Sequence, residues 1–275
     1  MQKIDGRALA NSILSSVKTH CAASSTRPGL AIVLVGDDPA SVTYVRLKEE
    51  AAAQVGIHAE VHRFPATVDE ATVVQKIQAL NANAAISGMI VQLPLPNQLN
   101  ADTVVSAIDP AKDADGFHKT NLERYKQNVP GALAPGLCEG VLALAQVPGV
   151  PLDGKKAVVL ANGPIFAEPM AMLLTRAGLD VTLLYPPFRD FAQATKDADL
   201  IVIALGKAGF LKAEHTKPDV IIVDVGFNRV DGKVVGDVDA ASMANQPGWL
   251  TPVPGGVGPV TVAMLLERTL RLAEN

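Results

Sequence analysis

The chain has 275 residues, of which 48% are apolar and 19% charged, and its formal net charge is −4 at pH 7. This composition is typical of a globular protein with a sizeable core, not of a disordered chain. The charge provides no basic surface of the kind that nucleic-acid-binding proteins use, and no apolar run approaches the ~20 residues of a membrane helix. We therefore expect a cytoplasmic protein with neither a nucleic-acid nor a membrane partner.

The two cysteines, Cys21 and Cys138, are too few for a disulfide framework and are typical of free thiols in a reducing cytosol. The first ten residues lack the apolar core of a signal peptide. No histidine context makes Cys138 a nucleophile, so we expect this cysteine to be structural.

Helix and strand patterns alternate in the first half of the chain. Helical spacing or capping residues predict helices over 7–20, 39–55 and 69–80. Short apolar or alternating runs predict strands over 30–35, 59–64 and 86–93. In the second helix Asp38 is the expected N-cap, Pro39 the first helical residue and Gly56 the stop. This alternation predicts βαβ units and a parallel sheet.

A second α/β series follows a Pro/Gly-rich break at 148–154. Its predicted strands cover 157–160, 181–184, 200–204 and 220–225, and its helices cover 169–177 and 261 to about 273. The series is typical of a small Rossmann-type domain. The last helix is amphipathic, and we expect it to pack back on the first domain. The predicted fold class is α/β, with two lobes and a cleft between them.

Tyr44 and Lys48 lie four residues apart, so both side chains project from one face of the second helix. A phenol beside an amine at the end of a strand can position a small molecule and move its protons. An isolated pair would be interpreted as an exposed lysine beside a partly buried tyrosine. Gln92, at the carboxyl end of a predicted strand, either binds a ligand at that edge or faces solvent.

Residues 112–118 place Asp113 and Asp115 before a glycine turn. A calcium loop needs more oxygen ligands at alternating positions than this segment has. Each aspartate either stabilises the turn or faces a substrate. His118 alone makes no metal site, and we expect it to be a hydrogen-bonded loop residue.

The segment 251–259 reads Thr-Pro-Val-Pro-Gly-Gly-Val-Gly-Pro. Its glycines expose backbone amides while its prolines restrict the loop. A flexible linker is seldom bounded by prolines in this way, so we favour a loop that lies against a planar or anionic ligand.

Five segments together resemble one family: 28–44, 91–96, 112–118, 224–229 and 251–259. In this order they are similar to the bacterial bifunctional methylenetetrahydrofolate dehydrogenase/methenyltetrahydrofolate cyclohydrolase (FolD-type) family. The resemblance spans nearly the whole chain, and the runs Val-Gln-Leu-Pro-Leu-Pro and Pro-Val-Pro-Gly-Gly-Val-Gly-Pro are highly specific. It implies a folate-binding catalytic domain over 1–116 plus 257–275 and a Rossmann-type domain over 117–256.

The resemblance also implies roles for individual residues. Lys48 would transfer protons, Gln92 would help set the protonation state of Lys48, and Tyr44 would orient the folate. Asp115 would hold the pterin ring. The remaining folate-binding residues would be Val91, Leu93, Pro254, Gly255, Gly256, Val257 and Gly258. The implied cofactor is NADP, the implied assembly a homodimer, and no metal is required. The implied setting is one-carbon metabolism, which serves purine biosynthesis.

The cofactor turn departs from the family pattern. Alanine stands for the family's glycine at Ala161 and Ala167, Pro164 removes a backbone donor, and Glu168 stands where a basic residue is usual. The candidate cofactor-binding residues are Ala161, Asn162, Gly163 and Phe227.

The sequence departs from the family's usual residues at three more places. Residues 185–188, Tyr-Pro-Pro-Phe, replace a polar or basic stretch suited to a 2′-phosphate. No acid ends the preceding strand, so a switch to NAD is not supported. Residues 135–138 read Pro-Gly-Leu-Cys where the family usually has Pro-Cys-Thr-Pro, and Ser87 stands for an aspartate.

Three hypotheses follow from these departures. In the first, the chain is the bifunctional enzyme. In the second, it is a cyclohydrolase alone, with Phe166 and Phe188 filling part of a vacated cofactor groove. In the third, it is a non-catalytic folate-binding paralogue. Retention of Lys48 argues against the last, because binding alone does not require it. A short-chain dehydrogenase, which also uses a Tyr-x-x-x-Lys pair, is rejected because its cofactor turn precedes that pair.

Overall fold

The computed structural model describes residues 1–24, 26–188 and 190–274. The chain forms two compact units. The first unit comprises Asn11–Gly136 and Val262–Asn275, and the second comprises Met1–Ala10 and Leu137–Thr261. These units differ from the predicted domain boundaries chiefly at 1–10 and 117–136. The first ten residues join the second unit because their short strand pairs with a strand near residue 250. The boundaries of the functional domains stay a prediction.

Helices occupy nine segments of the described residues. They are α1 (Gly6–Ala23), α2 (Pro39–Val55), α3 (Glu70–Asn81), α4 (Ala101–Ser106), α5 (Lys119–Lys126), α6 (Gly136–Gln146), α7 (Pro164–Arg176), α8 (Phe191–Asp197) and α9 (Val257–Ala273). Helix α2 is bounded as its sequence predicts. The Asp38 carboxylate accepts a hydrogen bond from the Ser41 N–H at 2.8 Å, and Gly56 ends the helix with φ of 90°.

The strands of the described residues are β1 (Gln2–Lys3), β2 (Gly29–Val35), β3 (His58–Phe64), β4 (Gly88–Val91), β5 (Lys156–Ala161), β6 (Asp180–Leu184), β7 (Leu200–Ala204), β8 (Val220–Asp224), β9 (Asn228–Val230), β10 (Lys233–Val235) and β11 (Gly248–Leu250). In the first unit, β3, β2 and β4 form a parallel sheet in that order.

Every residue of β2 is buried, so this strand forms the centre of the first unit. Leu30 and Ile32 point into one apolar cluster, and Ala31 and Val33 point into another, because successive side chains face opposite sides of a sheet. Burial on both faces explains why the strand is a continuous apolar run.

Helices cover both faces of this sheet. One cluster takes side chains from α1, α2 and α9, and the other takes side chains from α3 and α4. The first unit is therefore a three-layer α/β arrangement. Leu266 of α9 is fully buried in the first cluster, which confirms that the last helix packs on this unit.

The second unit contains a parallel sheet in the order β1-β11-β8-β7-β5-β6. Strand β5 has β6 on one side and β7 on the other, so the direction of winding reverses at β5. This is the topological switch point at which Rossmann-type sheets bind ligands. Strands β9 and β10 form an antiparallel hairpin outside the sheet. The predicted α/β class, with a Rossmann-type second part, is confirmed.

Two helices begin earlier than the sequence predicts. Helix α7 begins at Pro164, and Pro169 lies inside it; helix α9 begins at Val257, with Pro259 in its first turn. Each start was placed wrongly because a later proline was taken to precede or begin the helix. Pro164 and Pro259 lie in first turns, where a proline removes only an N–H that has no partner within the helix. Pro169 lies beyond the first turn of α7, at a position that local rules disfavour. Strand β4 is also shorter than the predicted 86–93.

Among the helices of the described ranges, none combines the length and apolar character needed to cross a membrane.

Candidate functional site

Lys48 and Gln92 meet at the carboxyl end of β4. The Lys48 Nζ donates to Gln92 Oε1 at 2.9 Å. Gln92 follows the strand directly, and its N–H still donates to the Val33 carbonyl at 2.8 Å. Its side-chain Nε2 donates to the Leu93 carbonyl at 2.7 Å. Since both ends of the amide have partners, the oxygen is fixed towards Lys48.

Burial lowers the pKa of Lys48, and the charge of Asp115 acts in the opposite direction. Desolvation disfavours an ammonium ion, so Lys48 reaches its neutral form at a lower pH than a free lysine does. The hydrogen bond to Gln92 uses a proton of the amine and leaves the lone pair of a neutral amine available. Lys48 can therefore act as a base or, once protonated, as an acid.

Tyr44 lies one helical turn before Lys48 and is half-buried. Burial raises the pKa of Tyr44, so the side chain stays a phenol near neutral pH. It offers an O–H donor and an acceptor beside the amine.

The two aspartates of residues 112–118 have different environments. Asp113 is 3% exposed, and its carboxylate accepts the N–H groups of Gly116 and His118, both at 2.9 Å. The Asn121 amide donates to the same carboxylate at 3.0 Å. Asp113 is thus the residue that stabilises the turn. Asp115 is exposed as a whole residue, but burial around its carboxyl group raises its pKa, while the charge of Lys48 lowers it. The carboxyl group of Asp115 therefore lies within the electrostatic reach of Lys48.

Arg268 supports this turn from α9, and sequence reasoning missed it. Its side chain is 4% exposed and donates to the carbonyls of Ala134 at 2.6 Å and Asp113 at 3.3 Å. His118 is the N-cap of α5, where its Nδ1 accepts the Thr120 N–H at 3.1 Å. The prediction that His118 is a hydrogen-bonded loop residue is confirmed. A charged residue within the apolar pattern of the last helix was the available signal for Arg268.

The remaining predicted folate residues lie in two different units. Val91 is buried at the end of β4, and Leu93 is 49% exposed just beyond it. Residues 254–258 belong to the second unit. Their contact with folate stays a prediction.

Close packing explains the glycines of the 251–259 segment. A Cβ atom on Gly256 would lie 2.7 Å from the Pro252 carbonyl oxygen, and one on Gly6 would lie 1.9 Å from the Gly256 carbonyl oxygen. Gly255 has φ of 106°, which a side chain would strain. The loop is therefore held tightly. Val257 and Gly258 lie in the first turn of α9 and not in the loop.

The predicted cofactor turn lies at the switch point of the second sheet. Ala161 ends β5, Asn162 donates to the Leu205 carbonyl, and Gly163 is the N-cap of α7. No side chain caps this helix, and a Cβ on Gly163 would meet no atom within 4 Å. The first-turn N–H groups of Ile165 and Phe166 therefore lack a side-chain cap, and such groups can bind a phosphate despite Pro164. Phe227, between β8 and β9, is 43% exposed.

Two buried carboxylates organise the loops beside this turn, and sequence reasoning missed both. Asp224 ends β8 and accepts the N–H groups of Gly226, Asp237 and Val238 at 2.9–3.0 Å. Asp237 accepts the N–H groups of residues 205–207 at 2.5–3.0 Å and the Asn228 amide at 2.9 Å. The available signal was the Gly-Asp-Val-Asp run at 236–239.

Burial raises the pKa of Asp224 to about 6, and the Asp237 charge acts in the same direction, while the three N–H donors oppose both. A cavity of ≈ 430 Å³ lies beside Asp224, between residues 208–209 and 250–253.

No cluster of three or more histidine, cysteine or acidic side chains suited to a metal is found in the described parts of the chain. Cys138 is fully buried, and burial raises the pKa of its thiol well above the ordinary value. This cysteine is therefore inert as a nucleophile.

Two family models match most of the chain. The tetrahydrofolate dehydrogenase/cyclohydrolase catalytic domain matches residues 4–115, and the NAD(P)-binding domain of the same family matches residues 135–275. The bifunctional protein FolD of Azoarcus sp. (strain BH72) is 44% identical over 280 residues, covering 99% of this chain and 96% of its own.

Solved structures agree with these matches. The bifunctional FolD enzyme of Campylobacter jejuni is 37% identical with a TM-score of 0.94, covering 100% of this chain and 99% of its own. The Trypanosoma brucei methylenetetrahydrofolate dehydrogenase-cyclohydrolase, solved with NADP and an inhibitor, is 34% identical with a TM-score of 0.92. The match covers 99% of this chain and 97% of the Trypanosoma chain. The chain belongs to the tetrahydrofolate dehydrogenase/cyclohydrolase family.

Proposed function

We propose that this protein is a bifunctional enzyme of folate one-carbon metabolism. It hydrolyses 5,10-methenyltetrahydrofolate to 10-formyltetrahydrofolate, and it oxidises 5,10-methylenetetrahydrofolate with NADP. The observation that carries the proposal is the Lys48–Gln92 hydrogen bond of 2.9 Å, made by a lysine whose pKa burial lowers. Membership of the family supplies the substrate class.

Lys48 is the group proposed to move protons in the hydrolysis. The methenyl carbon is already electrophilic, so the reaction needs a water molecule that loses a proton as it attacks. Neutral Lys48 accepts that proton while the oxygen–carbon bond forms. The resulting ammonium ion then donates its proton to the folate nitrogen N5 as the N5–carbon bond breaks, and the hydroxyl proton is released to give the formyl group. Gln92 holds the amine in place through both steps.

Asp115 and Tyr44 are proposed to bind and orient the folate. Asp115 has a carboxyl group that interacts with the charge of Lys48, and this group can accept hydrogen bonds from the N–H groups of a pterin ring. Tyr44 lies on the same helix face as Lys48, where its phenol can hold the ring in register with the amine. Residues 254–256 of the tightly packed loop, with Val257 and Gly258 at the start of α9, are proposed to contact the folate.

A bound NADP would supply the hydride acceptor for the oxidation of the methylene carbon. The proposed binding residues are Ala161, Asn162 and Gly163 at the uncapped N-terminus of α7, with Phe227 in the loop after β8, two strands along the sheet. The first-turn N–H groups suit a pyrophosphate, so the departures from the family's glycine pattern do not by themselves remove binding. No observation favours a cyclohydrolase alone or a non-catalytic paralogue.

A cytoplasmic homodimer is also proposed, from the family resemblance alone. Size-exclusion chromatography with light scattering tests it, and a monomer at micromolar concentration would contradict it.

The activity test uses purified protein with each substrate in turn. We expect hydrolysis of methenyltetrahydrofolate above the buffer rate, and NADPH formation from methylenetetrahydrofolate. Lys48→Arg and Lys48→Met serve as variants, because arginine keeps a charge but cannot become a base near neutral pH. Equal hydrolysis by wild type and both variants would contradict the proposed role of Lys48.

A further inference from the structure

The strand β6 ends without the charged residue that a dinucleotide site needs. In a Rossmann-type sheet the ribose of the adenosine lies at the end of the strand after the phosphate turn, and a cation there accepts the 2′-phosphate of NADP. Here that strand ends at Leu184 and is followed by Tyr-Pro-Pro-Phe. The next residue in sequence, Arg189, is basic but lies outside the described residues. Among the described residues, the positive charge that the third phosphate of NADP needs must come from another loop.

Lys207 lies against this loop, although it follows a different strand. Its Nζ is 5.7 Å from the ring centroid of Phe188 and 5.9 Å from that of Phe210. Phe188 belongs to the loop after β6, whereas Lys207 belongs to the turn after β7. Since β6 and β7 flank β5, these two loops border the crevice at the switch point. Lys207 thus places a charge at the adenosine end of that crevice.

The position of Lys207 is fixed at both ends. Its backbone N–H donates to the buried Asp237 carboxylate at 2.7 Å, together with the N–H of Gly206 at 3.0 Å. Its ammonium group interacts with two aromatic rings, which belong to a cluster of Phe188, Phe191 and Phe210 with centroids 5.0–6.5 Å apart. The residue is nevertheless exposed, so a ligand can reach its charge.

We infer that Lys207 binds the 2′-phosphate of NADP and so selects NADP over NAD. The inference rests on the proposed function, because it assigns a residue of the dinucleotide site. Lys207 supplies a positive charge beside the Tyr-Pro-Pro-Phe stretch, and Phe188 and Phe210 support its side chain instead of filling the groove. The ligand class is an adenine nucleotide with a phosphate on the 2′-oxygen.

The test compares two probes that differ only in that phosphate. Calorimetric dissociation constants are measured for adenosine 2′,5′-bisphosphate and 5′-AMP, and then for NADP and NAD, at low and high salt. The variant is Lys207→Met, which keeps the length of the side chain and removes the charge. Lys233→Met, an exposed lysine of β10, is the matched control. Lys207→Arg tests rescue by charge, and thermal unfolding confirms that each variant is folded.

We expect Lys207→Met to raise the dissociation constants of adenosine 2′,5′-bisphosphate and NADP by at least about tenfold. One charge pair near a protein surface contributes that much to binding. The dissociation constants of 5′-AMP and NAD stay within about twofold of the wild-type values. The loss of affinity for the 2′-phosphorylated ligands shrinks in high salt, because salt screens the charge pair. Lys233→Met changes none of these dissociation constants. Lys207→Arg retains most of the selectivity.

Three results would overturn the inference. An equal loss for both probes would mean that Lys207 supports the loop and not the phosphate. Unchanged selectivity for NADP over NAD would assign the 2′-phosphate to another residue. Arg189→Met is therefore measured in parallel. Arg189 lies outside the described residues and is the basic residue nearest to Phe188 in sequence. Wild-type protein that binds neither NADP nor NAD would contradict the proposed dehydrogenase function as well, whereas the first two results leave that function standing.

Discussion

The two units use polar groups at the ends of their strands in different ways. In the first unit, the end of β4 joins one titratable side chain to one neutral amide, Lys48 to Gln92. In the second unit, the ends of β7 and β8 are held by the carboxylates of Asp237 and Asp224, which accept backbone N–H groups. The first arrangement leaves an amine whose protonation can change. The second fixes the main chain of loops that border a crevice.

This difference agrees with two proposed tasks, proton transfer in the first unit and binding of a phosphate-rich ligand in the second. Proton transfer needs a group whose pKa lies near the working pH, and burial moves that of Lys48 in this direction. Binding of a phosphate-rich ligand needs backbone groups and side chains that are already in place. Substitutions should therefore affect chemistry in the first unit, and stability or nucleotide affinity in the second.

The largest expected effect is that of Lys48→Met. Removal of the proposed base and acid should lower the hydrolysis rate of methenyltetrahydrofolate about 1,000-fold, measured above the buffer reaction. The dissociation constant of NADP should stay unchanged, because Lys48 belongs to the other unit. A large change in NADP affinity with little loss of hydrolysis would contradict the assignment of chemistry to Lys48.

Asp237→Ala should destabilise the protein by about 4 kcal/mol, since it leaves one buried and three partly buried donors without their acceptor. Urea unfolding gives the value. The control is Asp239→Ala, which removes a partly exposed carboxylate that accepts one backbone N–H at 3.2 Å and should cost about 1 kcal/mol. Similar values for both variants would show that Asp237 does not organise the turn at 205–207.

Asp224 gives a prediction for the dependence of stability on pH. Its pKa is about 6 in the folded protein, and that of an unfolded aspartate is about 3.9. Between these values the folded state binds more protons, so the stability contributed by Asp224 is present below about pH 4 and is lost as pH rises through 6.

The wild type should therefore lose about 3 kcal/mol between pH 4 and 7 relative to Asp224→Asn. The measurement is urea unfolding of both proteins at matched pH, which cancels the titration of other groups. Parallel curves for the two proteins would contradict the raised pKa.

Gln92→Glu should have the smallest of these effects. A carboxylate beside Lys48 favours the ammonium form, raises the pKa of the amine and lowers the fraction of free base. The hydrolysis rate near pH 7 should fall about tenfold, and the pH–rate profile should move to higher pH. Gln92→Met, which removes the hydrogen bond without adding a charge, should not produce that shift. An unshifted profile in Gln92→Glu would mean that Gln92 does not tune Lys48.

Much of the fold could be predicted from local signals. Helix α2 is bounded by a capping aspartate and a left-handed glycine, and β2 is a run of apolar residues that only burial on both faces explains. The starts of α7 and α9 could not be placed in the same way. Pro259 is compatible both with the first turn of a helix and with the residues before it, so the local sequence leaves the start of α9 open. Pro169 lies inside α7, where local rules disfavour a proline, so those rules place the start of α7 too late.

The site was predicted in part. The spacing of Tyr44 and Lys48 places them on one helix face, but only the fold brings Gln92, 44 residues later, within 2.9 Å. Sequence reasoning left both Asp113 and Asp115 open, because a turn carboxylate and a ligand carboxylate have the same local pattern. Burial and the three donors of Asp113 separate them. The pairing of Asp224 with the 237–238 backbone joins β8 to the segment after β10, and the Gly-Asp-Val-Asp run alone does not reveal that partner.

The most direct measurement follows NADPH and methenyltetrahydrofolate together, by their absorbance, after methylenetetrahydrofolate is added to the enzyme and NADP. A bifunctional enzyme forms NADPH, accumulates little methenyl intermediate and yields 10-formyltetrahydrofolate, whereas the Lys48→Met variant does not hydrolyse the methenyl compound. Hydrolysis of supplied methenyltetrahydrofolate without any formation of NADPH would contradict the dehydrogenase half. Absence of both reactions in folded protein would contradict the proposed function as a whole.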